Sequence, residues 1–397
     1  MSELLSFENA LQEIQQSATV RVGQHKLPLL EALNKITTQD IVADSCVPPY
    51  DNSAMDGYAL SFDDWSTDQV FPISQRIPAG QTATPLEPGT CVRIFTGACI
   101  PTGADTVIMQ ENASISKEGI HFKDRPSQGE NIRPKGQDIF TGQTIIKAGT
   151  KLSPMHIGLL SSLGITEIMV YKTLRVGLLT TGDELIPAGD KLAGGQIFNS
   201  NGPMLTALLL QAGYEVIDCL HAKDTPEATE VAIKKLIQSC DVILSSGGVS
   251  VGEEDHVKGA LEKLGEVHLW KIAIKPGKPL VHATLDNTPF LGLPGNPSST
   301  LVTYHWFATL LLAASAGQST RLPQAYLIES GFNRIQSIKR DEFLRVSIGQ
   351  DGLAYAHSQQ SSGALLAACE SHGYLHVKAN TPIEYGCSYP FYPFSGF

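Results

Sequence analysis

Asp241-Val-Ile-Leu-Ser-Ser-Gly-Gly-Val-Ser-Val-Gly-Glu-Glu-Asp255 is the stretch that decides the fold. Asp241 to Ser246 is an apolar run closing on two small polar residues, and it reads as a short buried strand. Gly247 and Gly248 follow; glycine takes backbone angles that other residues avoid and lets a ligand approach the main chain. From Glu254 the apolar spacing becomes helical, with Val257, Leu261 and Leu264 at i, i+4 and i+7. A strand, a Gly-rich turn and a helix start favour an anion, because backbone N–H groups and the helix dipole converge there. Downstream, Lys271, Lys275 and Lys278 fall within eight residues, stiffened by Pro276 and Pro279. Leu291 to Pro297 then supplies a kinked loop before another helix. The whole segment reads as an anion-handling site.

Working outward, Arg175 to Thr180 reads as a buried strand, Pro203 to Gln211 as a helix and Glu215 to Leu220 as a strand. Pro226 to Ser239 reads as a helix opened by Asp224-Thr-Pro-Glu227. Strands alternating with helices of this length predict a parallel, doubly wound sheet. Val281 to Leu291 adds a hairpin turned at Asp286-Asn287. Toward the N-terminus, Phe7, Leu11 and Ile14 sit at helical spacing behind Ser6, a cap, and Leu27 to Leu33 reads as a second short helix. Val47 to Leu60 opens as a rigid polar loop and turns into a strand at Met55-Asp-Gly-Tyr58, and Phe71 to Met109 is a series of short apolar runs punctuated by Pro and Gly, which indicates β structure. Pro154 to Leu163 should be helical behind Ser153. Thr300 to Ala316 is interrupted by Thr303, Tyr304 and His305, so it reads as a core helix rather than a membrane span. From about Leu322 the chain is strand-like and predicts a separate small β domain. The expected fold class is therefore multidomain α/β and β. A central doubly wound α/β domain covers 173–318, a β-rich domain 44–138, a mixed linking domain 1–43 plus 139–172, and a C-terminal small β domain 319–397.

Lys+Arg 29 against Asp+Glu 40 gives a net charge of −11, so the surface as a whole repels nucleic acid and anionic membrane. A lysine cluster runs against that background and is informative for this reason. The seven cysteines are odd in number, widely spread and without a Cys-x-x-Cys, which reads as buried free thiols in a reducing cytosol. The first residues lack the basic start and apolar core of a signal peptide, so a cytoplasmic protein is expected.

In open α/β sheets ligands bind at the carboxyl ends of the strands. That rule selects the loops at Thr180 to Glu184, at Asp224 and at Ser246 to Asp255. Asp183, Glu184, Asp224 and Asp255 would share one rim beside Lys271, Lys275 and Lys278. Carboxylates beside lysines and backbone donors suit a phosphate held with Mg²⁺, a hard cation that prefers oxygen ligands. Plainer readings stand next to these: Asp224 as a helix cap, which can coexist with a site role, Gly247-Gly248 as a tight turn, and Asp51 to Asp56 as an Asx turn. His256 and His282 have no partner at metal-ligand spacing, and packing is the simpler role. No Ser-His-Asp set or nucleophile elbow is visible.

Seven segments together carry a resemblance: Asp51-Asn-Ser-Ala-Met-Asp-Gly-Tyr-Ala59, Arg93-Ile-Phe-Thr-Gly-Ala98, Asn131-Ile-Arg133 with Gly136 and Asp138, Thr181-Gly-Asp-Glu-Leu185, Ser245 to Gly252, Lys275-Pro-Gly-Lys-Pro279 and Gly292-Leu-Pro-Gly-Asn-Pro297. In this order the chain resembles the molybdopterin molybdenumtransferases, the MoeA-like proteins and the C-terminal domain of gephyrin. The resemblance implies four domains in an elongated homodimer, with an α/β domain like that of the molybdopterin adenylyltransferases. It implies insertion of molybdenum from molybdate into adenylylated molybdopterin, with release of AMP and assistance by Mg²⁺. By resemblance, Glu184, Asp224 and Asp255 are active-site residues and the metal ligands, with Asp56 and Thr96 also catalytic. The substrate-binding positions it implies are Gly247, Gly248, Ser250, Lys271, Lys275, Lys278, Arg133, Asp138, Pro294 and Pro297, with Ser361 or Ser362. The site would lie between the α/β domain of one subunit and the β-rich domain of the other. The upstream adenylyltransferase and molybdoenzyme acceptors are the further partners implied. Pro134, Gln137 and Ser298 depart from the family pattern and bear on fine substrate preference. The rival readings are a molybdopterin adenylyltransferase, which the α/β domain alone would fit, and a gephyrin-like scaffold.

Overall fold

The computed structural model describes residues 4–249 and 256–397, with the backbone alone for Trp270. Its centre is a six-stranded sheet in the order Glu215–Ala222, Arg175–Thr181, Val242–Ser246, Thr288–Leu293, Val281–Leu285 and Gly265–Trp270. The first four are mutually parallel, Val281–Leu285 runs against them, and Gly265–Trp270, antiparallel to Val281–Leu285, runs with the first four, so the sheet is mixed rather than wholly parallel. The antiparallel part follows from the expected hairpin. Asp286 and Asn287 both take positive φ, 45° and 66°, the backbone that a two-residue turn between twisted strands requires.

Alternate residues of the buried strands feed two cores. Val176, Leu178, Val242, Leu244, Leu291 and Leu293 face Leu205 and Leu209 of the helix Asn201–Ala212 and the long helical run from Pro297 to Ser315. Leu179, Ile243 and Phe290 face the helices Pro226–Ser239 and His256–Leu264 on the other side. Helices on both faces make the domain doubly wound. The polar interruptions of the long run are satisfied internally: Thr303 Oγ1 donates to Ser299 O at 2.8 Å, and His305 Nδ1 lies 3.1 Å from Tyr374 Oη. Among the described residues no helix is long and apolar enough to cross a membrane.

Two local expectations need correction. Leu27 to Leu33 is not a helix. Gln24–Pro28 is a strand paired antiparallel with Glu167–Tyr171, followed by one 3-10 turn at Leu29–Ala32. Pro28 has no N–H to give a helix interior, and Leu27 gains more by sitting opposite Ile168 in the ladder. Asp224 does not cap Pro226–Ser239. Thr225 Oγ1 accepts from the Ala228 N–H instead, and the Asp224 carboxylate accepts from the Asp183 N–H.

The opening helix, Phe7–Ser17, is capped by Ser6 and buries Phe7, Leu11 and Ile14 in the α/β core, with Phe7 edge-on to Trp306 at 5.0 Å. Residues 29–32 and 146–170 share a separate cluster around Leu152 and Leu160. The β-rich part is built on a four-stranded sheet, Ile73–Ile77, Cys91–Ile94, Gly57–Leu60 and Thr106–Met109. The C-terminal residues have their own apolar cluster around Leu344, Leu375 and Phe391, but their sheet borrows a strand. It runs Ile274–Lys275, Asp341–Ile348, Gly373–Val377, Ser388–Pro393 and Tyr326–Glu329, so its first strand belongs to the lysine loop. All seven cysteines are free, but only Cys91 and Cys240 are buried, which corrects the reading of the set as core thiols.

Two core histidines are held neutral. Burial pushes His282 down to about 4 and His305 down to about 3. In the unfolded chain both take up a proton near pH 6.5, so stability is fully present above that pH and is lost as pH falls toward the folded values. Each histidine should cost about 2 kcal/mol by pH 5, before carboxylates contribute much. Urea-unfolding midpoints measured between pH 7 and pH 5 should fall accordingly, and less steeply in His282→Gln.

Candidate functional site

A cavity of about 960 Å³ opens at the carboxyl ends of the parallel strands and is also lined by Arg340 and residues 360–362 from the C-terminal part of the chain. Thr181 ends one strand, and Gly182 follows with φ 136°. The chain there turns Glu184 into the cavity wall, with its carboxylate lying over the Gly182 Cα, where a Cβ would stand only 2.6 Å from Oε2. Asp183 and Asp224 clasp each other: the Asp183 N–H donates to Asp224 Oδ2 at 3.1 Å, and the Asp224 N–H donates to Asp183 Oδ1 at 3.2 Å. This reciprocal pair joins the loops after two neighbouring strands and sets Asp224 on the rim.

Ser246 ends the third strand, and Gly247 and Gly248 carry positive φ of 92° and 66°. A side chain at Gly248 would put its Cβ 2.4 Å from Val257 Cγ2, so the glycine is required by packing as well as by backbone angle. The tight-turn reading and the cavity role therefore coexist. Asn201 Nδ2 donates to Ser246 Oγ at 2.8 Å and to Gly295 O at 2.6 Å, tying the third strand to the loop that bears Pro294 and Pro297.

The opposite wall is basic. Lys275, Lys278 and Arg340 line it, with Gly277 at φ 114° held against Thr303. Arg340 Nη1 donates to Ile274 O at 3.0 Å, and Lys275 Nζ lies 3.0 Å from Glu342 Oε1. Gln360, Ser361 and Ser362 close the cavity, so both candidate serines reach it. Their loop is laced to the core by Arg345, whose Nη2 donates to Gln359 O and Ser361 O, and by the Ser298 N–H bonded to Ser362 O.

The cavity thus gathers Glu184, Asp224, Gly247, Gly248, Lys275, Lys278, Pro294, Pro297 and Ser361. Lys271 is not among its lining residues; its main chain pairs with Leu280 and Leu5, and its φ is 92°. Ser250 and Asp255 lie outside the described residues. Asp56, Thr96, Arg133 and Asp138 do not line the cavity of the same chain. Thr96 donates both its N–H and its hydroxyl to Asp56 Oδ1, at 2.9 and 2.8 Å, and these bonds hold the Asp56 carboxyl below its usual range. The Asn52–Ser53 strand, close by in sequence, pairs with Ile132–Arg133. Asn199, Asn201 and Arg340 belong to the site and were not selected from the sequence. The run Asn199-Ser-Asn201 just before a helix was the available signal for the first two.

Among the described residues no group of three or more His, Cys, Asp or Glu side chains could hold a metal ion. Glu184 and Asp224 still offer hard oxygens to the cavity they line, since the Asp183 N–H takes Asp224 Oδ2 and not Oδ1. Two carboxylates facing lysines suit Mg²⁺ shared with a substrate phosphate.

Replacing Asn201 by Ala should lower stability by about 1–3 kcal/mol, because Gly295 O and Ser246 lose a buried donor. Urea denaturation checks this.

Three family descriptions match the chain in sequence: MoeA N-terminal region (domain I and II) over residues 5–164, probable molybdopterin binding domain over 177–314, and MoeA C-terminal region (domain IV) over 330–394. A molybdopterin molybdenumtransferase of Haemophilus influenzae is 39% identical over 345 residues, covering 86% of this chain and 85% of that protein. One from Nostoc is 36% identical over 340 residues, covering 82% and 78%. The crystal structure of a molybdopterin biosynthesis MoeA protein from Pyrococcus horikoshii superposes with a TM-score of 0.81 at 28% identity, covering 100% of both chains.

Proposed function

Because the chain belongs to the molybdopterin molybdenumtransferase family, a family of transferases, we propose that its cavity inserts molybdenum from molybdate into adenylylated molybdopterin and releases AMP. The observation that carries this reading is the division of one cavity into an acidic rim, Glu184 and Asp224, and a basic wall, Lys275, Lys278 and Arg340. Molybdate and a pyrophosphate link are both anions, and bringing them together requires cations and fixed donors. The basic wall neutralises them, and the Gly247-Gly248 turn lets phosphate oxygens approach the main chain. Glu184 and Asp224 would hold Mg²⁺, and the resemblance adds Asp255, outside the described residues, as a further ligand. The ion, when bound, supplies Lewis-acid polarisation of the phosphoryl oxygen as AMP leaves. No protein nucleophile takes part.

Asp56, Thr96, Arg133 and Asp138 complete the site from the β-rich domain of a second copy, in a homodimer. This reading accounts for their absence from the cavity of their own chain. The Thr96 bonds keep Asp56 ionised and aimed, so it presents a fixed negative charge.

Glu184→Ala and Asp224→Asn should each reduce molybdate-dependent AMP release at least about a hundredfold, with an unchanged unfolding midpoint. Retained turnover in a folded variant counts against the assignment. The shared site makes a second prediction. Asp56→Asn and Glu184→Ala homodimers should each be inactive, whereas subunits exchanged between them should recover roughly a quarter of wild-type activity, one intact site in each mixed dimer. No recovery on verified exchange would place both residues in the site of one chain.

A further inference from the structure

Lys275 reaches the cavity wall from a two-residue strand, Ile274–Lys275, that pairs in parallel with Asp341 and Glu342. In that register Lys275 and Glu342 are direct neighbours. Lys275 Nζ lies 3.0 Å from Glu342 Oε1, with the carboxylate side chain only 3% exposed and the lysine 39% exposed. The other carboxylate oxygen, Oε2, lies 2.6 Å from Arg334 Nη2 in a charge contact that is not aligned as a hydrogen bond. Arg334 is itself anchored by a reciprocal backbone pair with Ile383, at 2.8 and 2.9 Å. A buried carboxylate therefore spans a backbone-anchored cation in the C-terminal domain and a half-exposed cation at the cavity. The Lys275 stem has four rotatable carbons, and without Glu342 its ammonium would be repelled by Arg334 and free to leave the wall.

We propose that Glu342 is a positioning residue that acts through Lys275, holding its ammonium where the cavity grips a tetrahedral oxyanion. The inference rests on the reading of the cavity as a molybdate site and adds a residue that does not line it. Two effects of removing the Glu342 charge have opposite signs. Coulomb's law alone says that losing a nearby negative charge raises the positive potential and tightens anion binding. Losing the lysine's position weakens binding instead, because the cation no longer meets the oxyanion at hydrogen-bond distance. The proposal requires that position win.

The experiment is calorimetric titration of the full chain with sodium molybdate, using wild type, Glu342→Gln, Glu342→Asp, Lys275→Met and the Glu342→Gln/Lys275→Met pair. Glu342→Gln should raise the molybdate Kd about tenfold, and Glu342→Asp, which keeps the charge but withdraws it by one methylene, should raise it several-fold. In the Lys275→Met background Glu342→Gln should have no further effect, since the residue acts only through the lysine. A merely structural role would weaken both backgrounds alike, and that result overturns the proposal. Tighter or unchanged binding in Glu342→Gln overturns it as well. If Glu342→Gln fails to fold, Glu342→Asp decides by the same criterion. Wild type that binds no molybdate overturns the site reading and this inference together. Wild type that binds, with Lys275→Met weakened and both Glu342 variants normal, overturns the inference alone.

Discussion

Two backbone pairs, Ile274 with Asp341 and Lys275 with Glu342, join the lysine loop to the C-terminal sheet. Much of the basic wall hangs on this junction. It places Lys275 beside the buried carboxylate, lets Arg340 donate to Ile274 O, and brings the strand carrying Arg345 next to the serine loop. A cavity wall made from two domains is only as well ordered as the seam between them. Here the seam is main-chain hydrogen bonding reinforced by a buried carboxylate, Glu342, whose removal would leave both Lys275 and Arg334 without it.

The acidic side is built by a different device. Three parallel strands end at the same level, and their loops are cross-tied by short polar bonds: Asp183 with Asp224, and Asn201 with Ser246 and Gly295. The first tie runs between neighbouring strand ends and the second from a helix start to two strand ends, so the sheet sets the spacing of the carboxylates. The chain's net charge of −11 makes the basic wall a local reversal of sign, which favours anions there without attracting polyanions to the rest of the surface.

The central domain was legible because its strands are apolar runs of ordinary length between clear helix and turn signals. Asp241 to Gly248, the Asp286-Asn287 turn and the Pro226–Ser239 helix all express local preferences that the tertiary structure keeps. The rim carboxylates could be read for the same reason, since strand ends imply a site. What could not be read was long-range. Arg340 and Glu342 matter through a strand pair with residues 274–275, and nothing at either position in sequence announces that pairing. Thr225 took the cap from Asp224 because two acceptors stood side by side, and the Asp183 N–H competed for the carboxylate. Leu27 went into a ladder because its partner, Ile168, lies far along the chain.

The packing of Phe7–Ser17 against the run that contains Trp306 bears on how the chain comes to be made. A nascent polypeptide would present this amphipathic segment long before Pro297–Ser315, the surface that accepts it. In the interval, Phe7, Leu11 and Ile14 have no native shelter. The α/β core thus closes only after residues 297–315 have emerged, and the contact with this helix is long-range, which slows folding and exposes an apolar face to chaperones meanwhile.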